Sequence, residues 1–325
     1  MPIPVVSIII PCYRQAHYLR VAVDSALSQS YPTIEVIVVN DGSDDDTEAV
    51  AGTFGERIRY VSKRNGGLAS ARNAGIAAAS GQYLHFLDAD DFLHREAIAH
   101  LVELMNGRED VVALMGCFEF HGDEATVGVT HPAAAYPFTL LPGLLQGCFA
   151  PPHCFLCSKR LVEKVGCFYE QFRACGCEDW DLWLRLALSG ADLATTSFTG
   201  AYYRRNAGSM SMNTGRMLHS RTEVLLRAHD RIVGQAELLQ RWGQELYQAE
   251  HRVRRRWLAS GRDAAMVEVL TQRLRQLQQH GLSLQGSWRS RLVHTMFGLA
   301  GDAYVMTCLR RFAPQRVAFY ANGYT

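Results

Sequence analysis

The chain has 325 residues, of which 48% are hydrophobic and 20% are charged. This length and composition exclude a disordered or collagen-like chain and suit one large domain with an appendage. The net charge of +1 conceals an asymmetry, because residues 1–215 carry 16 basic and 24 acidic side chains, whereas residues 216–325 carry 17 and 8. We therefore predict a domain over 1–215 and a separate basic region over 216–325.

The first ninety residues alternate between predicted strands and helices. Apolar, mostly β-branched runs predict strands at Val5–Ile10, Ile34–Val39, Ile58–Val61 and Tyr83–Leu87. Apolar residues at helical spacing predict a helix over about residues 15–29, a short helix that ends at about Phe54, and a helix over Leu68–Ala79. This alternation predicts an α/β fold with a mainly parallel sheet flanked by helices. In such sheets, ligands bind beyond the carboxyl ends of the strands.

The pattern is less regular in the middle of the chain. We predict strands near Val111–Phe120 and Ala125–Thr130, and a helix over about 179–188. Helical patterning dominates from Arg216 onward, so the basic region is predicted to be a helical extension. Its basic residues are all arginine, and we expect it to contact an anionic membrane surface, a partner or a second copy of the chain. No aromatic-basic module for nucleic acid is visible.

The nine cysteines are an odd number and form no compact disulfide framework. No secretory pattern follows the first residue, and no run of about 18 uninterrupted apolar residues occurs. We therefore expect a reduced, cytoplasmic protein, with the cytoplasmic face of a membrane as a second location. Five cysteines and one histidine lie between residues 153 and 177, but their spacing fits no common zinc pattern. We favour buried thiols there over a zinc site.

The strongest chemical signal follows the fourth predicted strand, where Asp88, Asp90 and Asp91 lie around Ala89. Carboxylates this close repel one another unless a cation lies between them, and oxygen ligands suit Mg²⁺ or Mn²⁺. A solvated acidic turn that caps the next helix is the alternative interpretation. The position at the end of a predicted parallel strand favours the metal site.

Three weaker signals lie elsewhere in the chain. Asp41 follows the second strand and can accept hydrogen bonds from a base or a ribose, although an ordinary turn explains the same residue. Gly67 opens a helix that carries Arg72 about one turn further on, which suits an anion or simply a glycine-rich helix start. Glu178 and Asp179 begin an aromatic-rich helix, where a carboxylate is either a general base or a helix cap.

These segments, in this order, resemble family 2 glycosyltransferases with the GT-A fold, which are mostly inverting enzymes that use nucleotide-diphosphate sugars. The resemblance covers about residues 4–215. It implies a GT-A, Rossmann-like domain, with Asp88 and Asp90 as ligands of Mn²⁺ or Mg²⁺ and with Asp179, beside Glu178, as the catalytic base. The nucleotide-sugar-binding residues that it implies are Pro11, Tyr13, Asp41, Asn65, Gly67, Arg72, Asp88, Ala89, Asp90, Arg204 and Ser209.

The sequence departs from the family pattern at two of these segments. Arg14 stands where the family more often has Asn after Tyr13, and Asn40 replaces a frequent Asp. The resemblance implies an inverting, metal-dependent transfer of a sugar from a nucleotide-diphosphate donor, with UDP the expected nucleotide. The implied acceptor is a hydroxyl of a saccharide or lipid-linked saccharide, in cell-envelope polysaccharide or glycolipid biosynthesis.

Two other functions remain open for these residues, and the sequence disfavours two more. A polyprenyl-phosphate glycosyltransferase and a non-catalytic nucleotide-sugar-binding scaffold remain alternatives. The presence of Asp88, Asp90 and Asp179 together argues against the scaffold. A sugar nucleotidyltransferase would need a glycine-rich triphosphate loop after the first strand, and residues 11–15 are not one. Leu238 stands where the Gln-x-x-Arg-Trp motif of processive polysaccharide synthases has its Gln, so processivity is not predicted.

Overall fold

A computed structural model of the chain describes residues 3–121, 124–131, 144–145, 147–148, 150–171 and 176–205, together with 220, 223–225, 227–228 and 243. The chain divides into two compact units, Met1–Ser209 and Met210–Thr325. The few described residues of the second unit are helical. The predicted helical extension otherwise lies outside the described residues, and the predicted boundary after residue 215 stays a prediction.

The first unit contains nine strands and six α-helices within its described residues. The strands are β1 (Val6–Cys12), β2 (Ile34–Asn40), β3 (Arg59–Ser62), β4 (Tyr83–Phe86), β5 (Phe92–Leu93), β6 (Val111–His121), β7 (Glu124–His131), β8 (Phe155–Ser158) and β9 (Asp192–Arg205). The α-helices are α1 (Ala16–Leu27), α2 (Thr47–Gly52), α3 (Leu68–Ala78), α4 (Ala97–Met105), α5 (Lys159–Val165) and α6 (Glu178–Leu188). Every predicted strand and helix of the domain is present, with ends shifted by at most two residues.

The strands form one sheet in the order β3-β2-β1-β4-β8-β6-β9-β5, with β7 paired to β6. The first four strands are parallel, as predicted. Beyond β4 the sheet is mixed, because β8 runs antiparallel to β4 and β6 whereas β9 runs parallel to β6. The predicted parallel arrangement therefore describes the first half of the sheet. The second half includes β5, β8 and β9, which the sequence pattern did not predict.

The parallel half positions the loops that carry the candidate residues. All seven residues of β1 are buried, which is typical of a central parallel strand covered on both faces. Helix α3 lies against β1 with Gly75 facing Ile9, and a Cβ at position 75 would overlap the Ile9 side chain. Because glycine allows this close approach, the start of α3 is held at the carboxyl edge of the sheet.

We expect Gly75→Ala to lower the free energy of unfolding by about 1–3 kcal/mol, because the added methyl group forces Ile9 or α3 to move. Gly52→Ala is the matched control, since a Cβ at position 52 meets nothing within 4 Å. Chemical denaturation of both variants checks the prediction. Equal stability of the two variants would show that the approach of α3 to β1 is not tight.

Candidate active site

Arg72 joins the two acidic segments of the candidate site. Its guanidinium donates from one nitrogen to Asp88 Oδ1 and from the other to Glu178 Oε1, each at 2.7 Å. Only 1% of the Arg72 side chain is exposed, and its guanidinium carbon lies 5.3 Å from the centre of the Phe168 ring. Arg72 therefore holds carboxylates from β4 and α6 together, whereas the resemblance implied a contact with the donor.

Asn73, the neighbour of Arg72, fixes the segment that covers it. The Asn73 Nδ2 donates to the carbonyl of Phe168, and the Phe168 amide donates to Asn73 Oδ1, both at 2.9 Å. This pair of hydrogen bonds places the Phe168 ring against the guanidinium. Asn73 is not among the candidate residues predicted from the sequence, because its role depends on a contact between residues that are 95 positions apart.

Helix α6 begins with Glu178 and Asp179 and is anchored to the rest of the domain by two tryptophans. The Trp180 indole donates to the carbonyl of Leu144 at 2.6 Å, and the Trp183 ring stacks on Phe155 at 4.4 Å between centres. Asp179 is partly exposed, and among the described residues only the Trp180 amide, 2.7 Å away, donates a hydrogen bond to it. Its carboxylate is therefore held in place and still reachable.

The surroundings of Asp179 favour a carboxyl group that exchanges protons near neutral pH. Burial raises the pKa of Asp179, the adjacent Glu178 raises it further, and Arg72 opposes both, so that the pKa is about 7. A group with this pKa can accept a proton at neutral pH and is suited to general-base catalysis. Glu178 differs from Asp179, because one of its oxygens is bound to Arg72.

Asp41 organises the glycine-rich loop before α3. Its carboxylate accepts hydrogen bonds from the backbone amides of Gly66 and Gly67, at 2.9 and 2.7 Å, and from Lys63 Nζ at 2.6 Å. Gly67 has a φ of +90°, which glycine adopts without strain. The second strand end is thereby joined to the start of α3, and Asn65 lies within the same loop.

The other candidate residues of β1 lie at its carboxyl end. Pro11 is within the strand, opposite Val39 of β2. Tyr13 follows the strand and is 42% exposed, with the Arg14 guanidinium carbon 5.2 Å from the centre of its ring. Arg14 thus covers one face of the Tyr13 ring at the carboxyl edge of the sheet, where the resemblance implies nucleotide-sugar binding.

Asp90 lies in the turn after β4, between the buried residues Ala89 and Asp91. Burial and the neighbouring Asp88 raise the pKa of Asp90. In the part of the chain that the structure describes, no other residue donates a hydrogen bond to its carboxylate. Two close carboxylates with unused oxygens fit a divalent cation, which would relieve their repulsion.

A metal site here would depend on the substrate. Within the described ranges, no group of three or more His, Cys, Asp or Glu side chains is arranged to hold a metal ion. Mg²⁺ is commonly bound by one or two carboxylates together with substrate phosphates and water. Asp88 and Asp90 therefore fit a cation that is shared with a bound diphosphate. The described cysteines in the 153–177 segment are free thiols, and Cys175 lies outside the described residues.

Arg204 and Asp91 hold the backbone of the turn after β4. Arg204 Nε donates to the carbonyl of Asp90 at 3.0 Å, and the Arg204 amide donates to Asp91 Oδ1 at 2.7 Å. Asp91 also faces His153, which is fully buried. Burial lowers the pKa of His153, but Asp91, Cys117 and Asp88 together outweigh burial, and the pKa rises to about 9. Ser209, the last residue that the resemblance implied, lies outside the described residues.

The site can now be compared with known proteins. The family model "Glycosyl transferase family 2" matches residues 7–166. A UDP-Glc:alpha-D-GlcNAc-diphosphoundecaprenol beta-1,3-glucosyltransferase of Escherichia coli, WfaP, is 31% identical over 234 residues, which cover 70% of this chain and 90% of that protein. The chain belongs to glycosyl transferase family 2. It therefore carries a glycosyltransferase domain of this family.

Other relatives in the family are longer than the shared segment. An uncharacterized glycosyltransferase of Rickettsia prowazekii is 38% identical over 192 residues, which cover 56% of this chain and 58% of the relative. The chain thus matches little more than half the length of this relative. Within the described residues, no helix combines the length and the apolar character needed to cross a membrane.

Solved structures confirm the GT-A fold. TarS 1–349 of S. aureus in complex with UDP-GlcNAc superposes with a TM-score of 0.64 at 18% identity, covering 80% of this chain and 76% of that one. The mannosyltransferase PcManGT from Pyrobaculum calidifontis, in complex with GDP-Man and Mn²⁺, gives a TM-score of 0.56 at 17% identity, covering 97% and 89%. At these identities the likeness concerns the fold of this glycosyltransferase.

We expect Arg72→Met to lower the free energy of unfolding by about 3–5 kcal/mol, because it leaves two carboxylates near each other without their buried cation. Arg108→Ala is the matched control, since Arg108 also contacts two carboxylates, Asp110 and Asp192, but at the exposed surface. Urea unfolding should show little change in that control. Similar losses in both variants would contradict the central role of Arg72.

Proposed function

We propose that the chain transfers a sugar from UDP to a hydroxyl of a lipid-linked saccharide, with inversion at the anomeric carbon and with Asp179 as the general base. The observation that carries this proposal is the different state of the two carboxylates at the start of α6. Glu178 is bound to Arg72 at 2.7 Å, whereas Asp179 is partly exposed and has a pKa of about 7. Of the two, Asp179 is the one suited to receive a proton.

The reaction requires a single displacement. The oxygen of the acceptor hydroxyl forms a bond to the anomeric carbon, its proton passes to Asp179, and the bond from that carbon to the diphosphate breaks. Attack from the face opposite the diphosphate inverts the configuration, and no covalent enzyme intermediate is needed. A divalent cation held by Asp88 and Asp90 would neutralise charge on the departing diphosphate.

The choice of UDP follows from the remaining capacity of Asp41. A carboxylate has about four acceptor positions, and three of them are occupied by Lys63, Gly66 and Gly67. One acceptor position suits the single ring N–H of uracil, whereas guanine presents two neighbouring donors. The Tyr13 ring would stack on the base. The donor in the name of WfaP, a UDP sugar, supports the same choice.

The acceptor is proposed from the same relative. WfaP is named for transfer to a sugar on diphosphoundecaprenol, and this chain aligns with 90% of it. A lipid-linked acceptor agrees with the basic composition of 216–325, which we propose contacts an anionic membrane surface. A cytoplasmic location at that surface, a role in cell-envelope polysaccharide biosynthesis and a second copy as partner stay predictions.

The assignment of Asp179 predicts the dependence of activity on pH. The base works when deprotonated, so kcat should rise as pH increases through about 7 and level off above it. Asp179→Asn cannot accept the proton, and kcat should fall by about 10²–10⁴ while donor affinity changes little. Transfer assays between pH 5.5 and 9, together with UDP-sugar binding, measure both effects.

Glu178→Gln distinguishes the two neighbours. This variant loses its charged contact with Arg72 but leaves the Asp179 carboxylate in place, so the rising limb of the pH profile should persist. If Glu178→Gln loses that limb while Asp179→Asn keeps it, the base is Glu178. If both variants retain transfer, the proposed mechanism is wrong.

The metal part of the proposal predicts that Asp90→Ala abolishes the gain in UDP affinity that Mn²⁺ provides. The control is Asp110→Ala, an exposed aspartate that contacts Arg108. Calorimetry of UDP binding with and without Mn²⁺ gives the result for each variant. A metal-dependent affinity that survives in Asp90→Ala would remove Asp90 from the metal site.

A further inference from the structure

Asp91 connects three segments that are distant in the sequence. Its amide donates to the carbonyl of Asp88 at 3.1 Å, which closes the turn after β4. Its Oδ1 accepts from the Arg204 amide of β9 at 2.7 Å, and its Oδ2 lies 3.2 Å from Nδ1 of His153, in the 3-10 turn Pro152–Cys154. Only 1% of the Asp91 side chain is exposed.

His153 is the side chain that lies against the second oxygen of this carboxylate. None of its side chain is exposed, and its second ring nitrogen lies 4.0 Å from the Cys117 sulfur. A buried carboxylate without a cation or hydrogen-bond donors is strongly destabilised. The His153 ring is the group placed to compensate this buried carboxylate, at 3.2 Å from Asp91 Oδ2.

We propose that His153 is a positioning residue, which acts through Asp91 to hold the Asp88–Asp91 turn in the geometry that binds the divalent cation. The inference rests on the proposed use of Asp88 and Asp90 as metal ligands. It adds a residue that touches neither the cation nor the donor.

The contacts around Asp90 show how residues that do not bind the cation can position a metal ligand. The Asp90 carbonyl accepts from Arg204 Nε, and the Arg204 guanidinium carbon lies 4.6 and 4.5 Å from the ring centres of Tyr18 and Phe120. With Asp91 also fixed, the backbone that follows Asp90 is held at its carbonyl and at the next residue, which restricts the positions that the Asp90 carboxylate can take. Loss of such supporting partners typically weakens metal binding by about 10–100-fold.

The test compares two buried histidines of the same domain. His153→Gln removes the partner of Asp91. His85→Gln is the matched control, because His85 is equally buried but its ring nitrogen contacts the backbone carbonyl of Phe155, at 2.9 Å. Calorimetric titration of Mn²⁺ into the full chain with saturating UDP should give a Kd about 10–100-fold higher for His153→Gln. The Kd of His85→Gln should equal that of the unchanged chain, although both variants lose thermal stability.

Further outcomes separate this inference from the function on which it rests. If the unchanged chain does not bind Mn²⁺ in the presence of UDP, the metal site and the role of His153 are both wrong. If it binds Mn²⁺ and folded His153→Gln binds equally well, only the role of His153 is wrong. Should His153→Gln fail to fold, Asp91→Asn removes the same charge pair with almost no change of shape. An unaltered Mn²⁺ affinity in Asp91→Asn would then overturn the inference.

Discussion

Asp88 and Glu178 carry like charges that repel each other, and the buried guanidinium of Arg72 holds both carboxylates in place. The guanidinium of Arg72 bonds to Asp88 at the end of β4 and to Glu178 at the start of α6. Its planar fork meets both in directions that a lysine could not satisfy. The approach of α3 to β1 at Gly75, the Asn73 contacts with Phe168 and the anchoring of α6 all place this side chain or its partners. The relative position of the turn after β4 and the start of α6, where we propose the metal ligands and the base, depends on it.

The same arrangement separates the roles of two adjacent acidic residues. Glu178 is bound to Arg72, while the pKa of Asp179 is raised to about 7 by burial and by the adjacent Glu178, which suits the proton transfer that we propose for Asp179. Neighbouring residues of a helix point in different directions, so one can be structural and the next chemical. The resemblance already implied Asp179 as the base, but the residues themselves could not separate the two, because their side chains are alike and the distinguishing contact spans 106 positions.

The parallel half of the domain and its polar strand ends were predictable because their signals are local. Buried strands such as β1 and β2 are continuous apolar runs, and Asp41, Asp88 and Asp90 follow such strands directly. The strand β5 has only two residues, too few for a periodic pattern, and β8 and β9 pair with β6, a strand distant in the sequence. His153 was noticed only among cysteines, since nothing near it in the sequence indicates that its partner is Asp91.

The contacts of Asp41 bear on the thermodynamics of donor binding. Its carboxylate fixes the amides of Gly66 and Gly67 through hydrogen bonds within the protein, so the order of this loop does not require contacts with a donor. The conformational entropy of the loop is then lost during folding and does not subtract from affinity. A loop that must order itself on the donor would make binding more enthalpic and more opposed by entropy. In the proposed function, the glycine-rich segment would therefore be a preorganised part of the binding surface, because Asp41 fixes its backbone.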